Sequence, residues 1–400
     1  MLPRREVPPT AGLPPRWRDL LSLHGTLARP AAAFLGVEAL QVTCSGTAAL
    51  VIALTALHRM SGRRTVIVPG YTCPLVALAV AHCGLRLRLC DLGPDSIDFD
   101  HAALARLCDA DTLALVPTHL GGRVVDVTAS VACARAVGAF VIEDAAQALG
   151  AREGATSVGL RGDAGVFSLA VGKGLTTFEG GLLVAREARL RAAFAEVARE
   201  LLPWRPGWEL WRTLQLLGYH ALYRPATLAL AYGMPLRRAL RRGDLLAAVG
   251  DDFAASIPLH RLGSWRQGVG ARALARLPRF LAQCNERAQL RRQRLAAITG
   301  VTLIDERAGV QGVWPFFMLR LRDRTRRDAV LAQLWGAGLG VGRLFIHALP
   351  DYASVAPLAD AAALPNARAL ADTMLTVSNS PWLDEAGFAR IVAVLERLAR

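Results

Sequence analysis

Between Leu40 and Ala185 the chain alternates short β-branched or apolar runs with helical patterns, and that alternation leaves few folds open. "TVIVPG" (Thr65 to Gly70) is a β-branched run closed by a Pro-Gly turn. "LRLRLCDL", "DTLALVPTH", "AFVIEDAAQALG", "DAGVFSLA" and "GGLLVARE" read as further strands, the third running into a turn. Between them, "LVALAVAHCG" predicts a helix stopped by Gly84, and "ASVACARAVG" a helix stopped by Gly138. Upstream, "LARPAAAFLGVEALQVTCSGTAALVIALTALHRM" predicts a helix, a short strand and a second helix opening at Ser45-Gly46-Thr47. Strand, helix and strand at this spacing predict an α/β fold with a mostly parallel sheet covered on both faces. Ligands of such sheets sit beyond the carboxyl ends of the strands. Thr118-His119, Glu143-Asp144 and Ser168 all fall at predicted strand ends, so they define one candidate site.

Four hundred residues are long for a single core, so two subdomains are expected. We divide the chain into an N-terminal lead (1–30), a large α/β domain (31–250) and a smaller C-terminal α+β domain (251–400). In the last, "VWPFFMLRL" reads as a strand, and "RRDAVLAQLWGAG" and "DEAGFARIVAVLERLA" as helices. At about 200–245 the large domain carries an apolar insertion, "LLPWRPGWELWRTLQLLGYHALYRPATLALAYGMPLRRALRRGD", with three of the eight tryptophans. Two readings stand: an amphipathic helical pair lying on an anionic membrane surface, or a helical insertion packed on the body or on a partner subunit.

A net charge of +14 bears on partners. The excess is arginine scattered along the chain, which suits an acidic small substrate or a membrane surface as well as nucleic acid. With no zinc-finger spacing, basic-region helix or aromatic RNA-binding signature, nucleic acid and metal are not expected. Seven cysteines without a CxxC pair read as reduced thiols. The opening residues lack the apolar run of a signal peptide, and no uncharged apolar run reaches the ~18 residues of a membrane span. The expected location is cytoplasmic.

Lys173, in "DAGVFSLAVGKGLTTFEGG", is the only lysine among 47 lysines and arginines. A desolvated lysine amine loses its proton readily and attacks a carbonyl, whereas a guanidinium stays protonated. A chain that writes arginine elsewhere therefore needs lysine where it needs a nucleophilic amine; survival of one lysine at a surface position is the alternative. Asp144 ends an apolar strand, where a half-buried carboxylate needs a cation such as a pyridinium nitrogen, or else caps the following helix. "CSGTAAL" offers free N–H groups and hydroxyls at a helix N-terminus, which suits a phosphate or a simple cap. Ser168 could add a hydroxyl to the same phosphate.

Phosphate cradle, strand-end Asp, Ser and lone Lys followed by Gly-Gly occur in the order in which this sequence resembles the DegT/DnrJ/EryC1/StrS group of pyridoxal 5′-phosphate (PLP)-dependent sugar aminotransferases, of the fold type I aspartate aminotransferase superfamily. The matching text is "SGTAAL", "VIVPGYTCP", "THLGGRVVD", "VIEDAAQALGA" and "GDAGVFSLAVGKGLTTFEGG", from Cys44 to Gly181. "RLFIHALPDY" and "SNSPWLDEAGFARIVAVL" match more loosely. The resemblance implies that Lys173 holds PLP as an internal aldimine and shuttles a proton. It implies that Asp144 pairs with the pyridine nitrogen, that Gln147 lies near the ring hydroxyl, and that Gly46, Thr47, Ala48 and Ser168 hold the phosphate. It places His119 toward the substrate, although a hydrogen-bonded structural histidine fits "THLGG" equally. It further implies an amino acid donor such as glutamate, a keto-sugar nucleotide acceptor, and a homodimer with the site near its interface.

Three departures stand out. Where many relatives place an aromatic that stacks on the cofactor ring, "GYTCP" has Cys73, so either Tyr71 substitutes or the ring is held more loosely. The Gly-x-Asn and Arg-Met segment by which a partner subunit reaches the phosphate is not recognisable, "HRLGSWRQGVGARALARL" being the nearest stretch. The apolar insertion is longer than the resemblance implies. Two alternative functions remain open: a PLP-binding protein serving in regulation or assembly, and a peripheral membrane component of polysaccharide biosynthesis.

Overall fold

A computed structural model describes residues 5–22, 25–251, 253, 256–359 and 363–399. Helix α1 (Ala28–Leu35) stops on Gly36 in the left-handed region and leads into β1 (Leu40–Thr43). There follow α2 (Gly46–Ser61), β2 (Thr65–Pro69), α3 (Pro74–His82), β3 (Arg86–Cys90), α4 (His101–Leu107), β4 (Thr112–Leu115), α5 (Thr128–Val137) and β5 (Phe140–Asp144). A small hairpin, β6 (Arg152–Glu153) and β7 (Thr156–Ser157), precedes β8 (Ala164–Ser168) and β9 (Gly181–Ala185). Helix α4 is not among the expected elements. Only Leu104 of its seven residues is fully buried, so it carries almost no apolar stripe, and the Asp100 side chain capping the Ala103 N–H starts it.

Seven strands form the large sheet in the order β1-β9-β8-β5-β4-β2-β3. Six pairs of neighbours reduce to two kinds: β9 runs antiparallel to β1 and β8, while β8, β5, β4, β2 and β3 are parallel throughout. Every residue of β2, β4, β8 and β9 is buried, as expected of strands covered on both faces. Helix α2 buries ten of its sixteen residues, packing on β8 and β9 and under α3 and α6 (Ala188–Leu201). It is therefore apolar nearly all round, which fixes where its N-terminus points.

The insertion follows: α7 (Pro206–Leu222), α8 (Pro225–Leu228), a π-helical turn over Ala229–Gly233, α9 (Met234–Arg241) and α10 (Leu245–Val249). It packs on the body through ion pairs as well as apolar contact. Arg266 is fully buried and grips Glu209 through both Nε and Nη2. Arg237 pairs with Glu6 of the N-terminal lead at 2.7 Å. Trp204, Leu210, Trp211, Leu214 and Leu230 stay exposed on the outer side. Among the described residues no helix is long and apolar enough to cross a membrane.

Helices α11 (Ser264–Leu274) and α12 (Leu277–Ala296) return the chain to β10 (Val301–Leu303), β11 (Val310–Gln311), β12 (Phe316–Leu321), α13 (Arg324–Leu334), β13 (Val341–Gly342), α14 (Pro365–Thr373), β14 (Met374–Ser378) and α15 (Glu385–Leu398). β10-β12-β14-β13 make a four-stranded antiparallel sheet, and β11 joins the β6–β7 hairpin. Helix α12 crosses from one core to another. Its Leu277, Phe280 and Cys284 pack with Leu27 and Phe167, whereas Ala288 and Leu295 pack with Phe317 and Phe388.

Candidate active site

A cavity of about 880 Å³ opens at the carboxyl ends of β5 and β8, where the N-terminus of α2 meets them. Of the residues singled out in the sequence, Gly46, Thr47, Cys73, His119, Asp144, Gln147, Ser168 and Lys173 line it; Ala48 and Tyr71 do not.

The start of α2 forms one wall. Ser45 is its N-cap, in extended backbone, and its hydroxyl accepts the Ala48 N–H at 3.0 Å. Ala48 is thereby satisfied within the helix start, while the N–H groups of Gly46 and Thr47 take no partner among the described residues. Two glycines permit the close approach of the neighbouring strands. A Cβ on Gly181 would lie 2.3 Å from the Ser45 carbonyl oxygen, and one on Gly46 would lie 3.1 Å from the Ser168 Cβ. Ser168 accepts the Ala170 N–H at 3.3 Å, so its own O–H remains available beside the helix terminus. Unpaired N–H groups, a hydroxyl and the helix dipole together make an anion cradle.

Asp144 and Lys173 face the same space. One Asp144 oxygen accepts the Ala146 N–H at 3.0 Å, and the other takes no hydrogen bond among the described residues. Burial pushes the Asp144 carboxyl pKa above its ordinary value, against the pull of the Ala146 N–H and the Lys173 charge. Burial likewise holds the Lys173 amine below its ordinary 10.5, partly offset by Cys73 and Asp144. For each group the cost of burial outweighs the attraction of the other. Lys173 makes no ion pair or side-chain hydrogen bond among the described residues, although arginines pair freely elsewhere.

The N-terminal lead, which no motif marks for a role, straps the lysine loop. Thr10 donates its hydroxyl to the Gly172 carbonyl at 2.7 Å, and the Leu13 N–H donates to the Gly174 carbonyl at 2.9 Å. Lys173 is held between these two bonds. Phe178, in the same loop, lines the cavity at φ +67°, a conformation that costs a bulky residue on the order of 1–3 kcal/mol.

His119 is fully engaged. Its Nδ1 accepts the Val125 N–H at 3.2 Å, leaving Nε2 to donate to Glu143 at 2.9 Å. Glu143 also accepts the N–H groups of Gly159, Arg161 and Gly162 at 2.6–2.8 Å. Burial opposes its ionisation, but His119 and those N–H groups hold its carboxyl below the usual value. His119 thus lines the cavity with both ring nitrogens already bonded. Gln147 fixes the adjoining turn, its Oε1 accepting the Gly121 N–H at 2.7 Å.

Tyr71 lies behind the cavity wall. Its hydroxyl donates to the Phe345 carbonyl at 3.2 Å and its ring meets the Phe345 ring edge-on. It does not line the cavity, whereas Cys73, N-cap of α3, does. Burial pushes the Cys73 thiol up to about 12, so it stays an uncharged thiol. Sequence reading also missed Arg343, Tyr219, Tyr223, Tyr232 and Trp335, all of which line the cavity. They come from the insertion and the C-terminal lobe, and no local pattern marks them.

A single family profile, described as the DegT/DnrJ/EryC1/StrS aminotransferase family, matches residues 23–201 and 260–396. The chain belongs to that family. MosB of Rhizobium meliloti is 37% identical over 159 residues, 40% of this chain and 31% of MosB, so that match spans about a third of the relative's length. GDP-perosamine synthase of Caulobacter vibrioides is 28% identical over 91% of this chain and 87% of its own. Among solved structures, the sugar aminotransferase CalS13 from Micromonospora echinospora superposes with a TM-score of 0.73 at 22% identity, covering 99% of this chain and all of that one. The fold is that of the fold type I aminotransferases. The profile leaves out 202–259, which is the insertion described above.

Proposed function

We propose that this cavity binds PLP and that the protein moves an amino group from an amino acid donor, such as glutamate, to a keto group on a sugar. The observation that carries the reading is the pairing of a desolvated lone lysine with a buried, cation-lacking carboxylate across a cavity that ends in an anion cradle. The donor set fits the cofactor group by group. Gly46, Thr47 and Ser168 would hold its phosphate, Asp144 its ring nitrogen and Lys173 its aldehyde carbon. When bound, PLP supplies an electron-accepting ring that makes the C–H bond beside the donor's amino group acidic.

The chain's own residues do the rest. Asp144 keeps a proton on the ring nitrogen, since a cation there relieves the cost of its burial. Lys173, its pKa held down, is an amine able both to anchor the cofactor and to carry a proton between donor and acceptor carbons. The Thr10 and Leu13 bonds fix its loop, and Glu143 with His119 stiffens the turn beneath the site. Gln147 lines the same cavity and is the residue that the resemblance makes a neighbour of the ring hydroxyl, and Cys73 adds an uncharged thiol to the lining.

A sugar acceptor is supported by the names of the relatives, GDP-perosamine synthase among them. A homodimer belongs to the same reading, although Arg266, in the stretch nearest the expected cross-subunit segment, is committed to Glu209. The test is spectroscopic. Purified protein is expected to be yellow, borohydride to fix the chromophore to the peptide containing Lys173, and glutamate or glutamine to bleach it before reduction. A chromophore that no amino acid bleaches would leave a cofactor-binding protein without transamination.

A further inference from the structure

Resting on that reading, we propose that the part of the cavity beyond Lys173 accepts a keto sugar whose remaining portion is an uncharged apolar group, in place of a nucleoside diphosphate. The cavity is as large as drug-sized ligand sites become, and the cradle occupies one end of it. Part of its wall is built from Leu222, Tyr223, Leu228, Tyr232, Phe253 and Trp335. Five of these six come from 202–259, the segment that the family profile does not match, so this wall is set by residues particular to the chain and not by the family pattern. Tyr232 enters from the π-helical turn, a local irregularity that re-aims side chains and recurs at binding sites.

Charge argues the same way. A diphosphate is recognised by arginine forks, lysines or clustered N–H groups. The chain has 46 arginines (47 lysines and arginines, less Lys173), yet among the described residues only Arg343 lines the cavity. Arg343 already donates through Nη2 to the carbonyls of Ile346 and Ala371, each at 2.7 Å. Lys173 and the α2 terminus belong to the cofactor. Facing the same space is Asp251, whose carboxylate accepts the Ile346 N–H and the Tyr352 hydroxyl and would repel a phosphate. Apolar rings and aliphatic side chains with one committed cation suit an alkyl, prenyl or aromatic group, whose burial is favourable in proportion to its area.

The experiment titrates the PLP-loaded wild type by calorimetry with three sugars that have no keto group: octyl glucoside below its micelle concentration, methyl glucoside and UDP-glucose. Octyl glucoside is expected to bind at least about tenfold tighter than either of the others. Leu228→Ala and Tyr232→Ala are each expected to weaken octyl glucoside several-fold. UDP-glucose binding tighter than octyl glucoside overturns the proposal, as do octyl and methyl glucoside binding alike or octyl glucoside binding that neither substitution changes. Should a variant fail to fold, the wild-type comparison decides alone. Failure of the transamination reading would show separately, as a cofactor band that no amino acid bleaches, a measurement in which no glucoside takes part.

Discussion

Two regions of this molecule bury apolar residues to opposite effect. From Ser45 to Gly181 apolar strands and α2 are sealed against one another, and the polar groups appear only where strands and helix end. Those ends converge, so Asp144, Ser168, Lys173 and the α2 N–H groups meet at fixed positions. Across 202–259 the apolar side chains are divided between an inner wall facing the cavity and an outer face of Trp204, Leu210, Trp211 and Leu214. The first region determines which chemistry is possible. The second supplies part of the wall of the same cavity, from a segment that the family profile does not match.

The sharpest way to break that comparison is at Lys173. Lys173→Arg keeps a cation of similar length but no nucleophilic amine, so amino-donor bleaching is expected to fall by at least about a thousandfold. Far-ultraviolet dichroism should be unchanged. Any substantial residual exchange would mean that another group carries the chemistry.

The tie between the regions comes next. Arg266→Ala strands Glu209 as an unpaired buried carboxylate and is expected to cost about 3–5 kcal/mol in denaturant unfolding. The double change Arg266→Met with Glu209→Leu removes both charges and should recover most of that loss. If it recovers nothing, the pair positions α7 against α11 in a way that apolar packing cannot replace.

Asp144→Asn tests the reactive end alone. It leaves the Ala146 N–H bonded but removes the charge that favours a protonated ring nitrogen. The half-reaction is expected to slow about a hundredfold, roughly 2.7 kcal/mol, with the chromophore retained. Loss of the chromophore altogether would make Asp144 a binding residue first.

The same division explains what could be read from the residues beforehand. Asp144 and Ser168 stand at strand ends, so the alternation of strands and helices already placed them together, while Lys173 was marked by being the only lysine and by the order of motifs around it. Tyr232 and Arg343 reach the cavity through long-range packing, which leaves no local trace. Tyr71 is instructive in the other direction. Its position beside Cys73 suggested a ring-stacking aromatic, but the backbone of Phe345, more than 270 residues away, takes its hydroxyl instead. His119 could be read either as a substrate contact or as a bonded structural residue, and only Glu143 and the Val125 N–H show how both nitrogens are used.

Glu143 gives a smaller, pH-dependent effect. Its folded pKa lies below the ordinary 4.5, so it contributes stability above that value and loses it as the pH falls through the lowered one. Glu143→Gln is therefore expected to cost on the order of 1–3 kcal/mol at neutral pH and progressively less below about pH 4.5. Unfolding midpoints of the two proteins should converge in acid. Parallel curves would mean that the hydrogen-bond shape of the side chain matters and its charge does not.

The smallest effect concerns the N-terminal strap. Thr10→Val removes the one hydroxyl that holds the Gly172 carbonyl, keeps the side-chain volume, and leaves the Leu13 N–H to Gly174 bond in place. A single partly buried hydrogen bond is worth about 0.5–1.5 kcal/mol, so global stability should barely move. The lysine loop is where the loss should register. With its anchor gone, the rate at which borohydride fixes the chromophore, or at which glutamate bleaches it, is expected to change by a few-fold, while Lys173 and Asp144 keep their environments. Equal rates in Thr10→Val and wild type would show that the Leu13 bond suffices to position Lys173, and the strap would then reduce to that one contact.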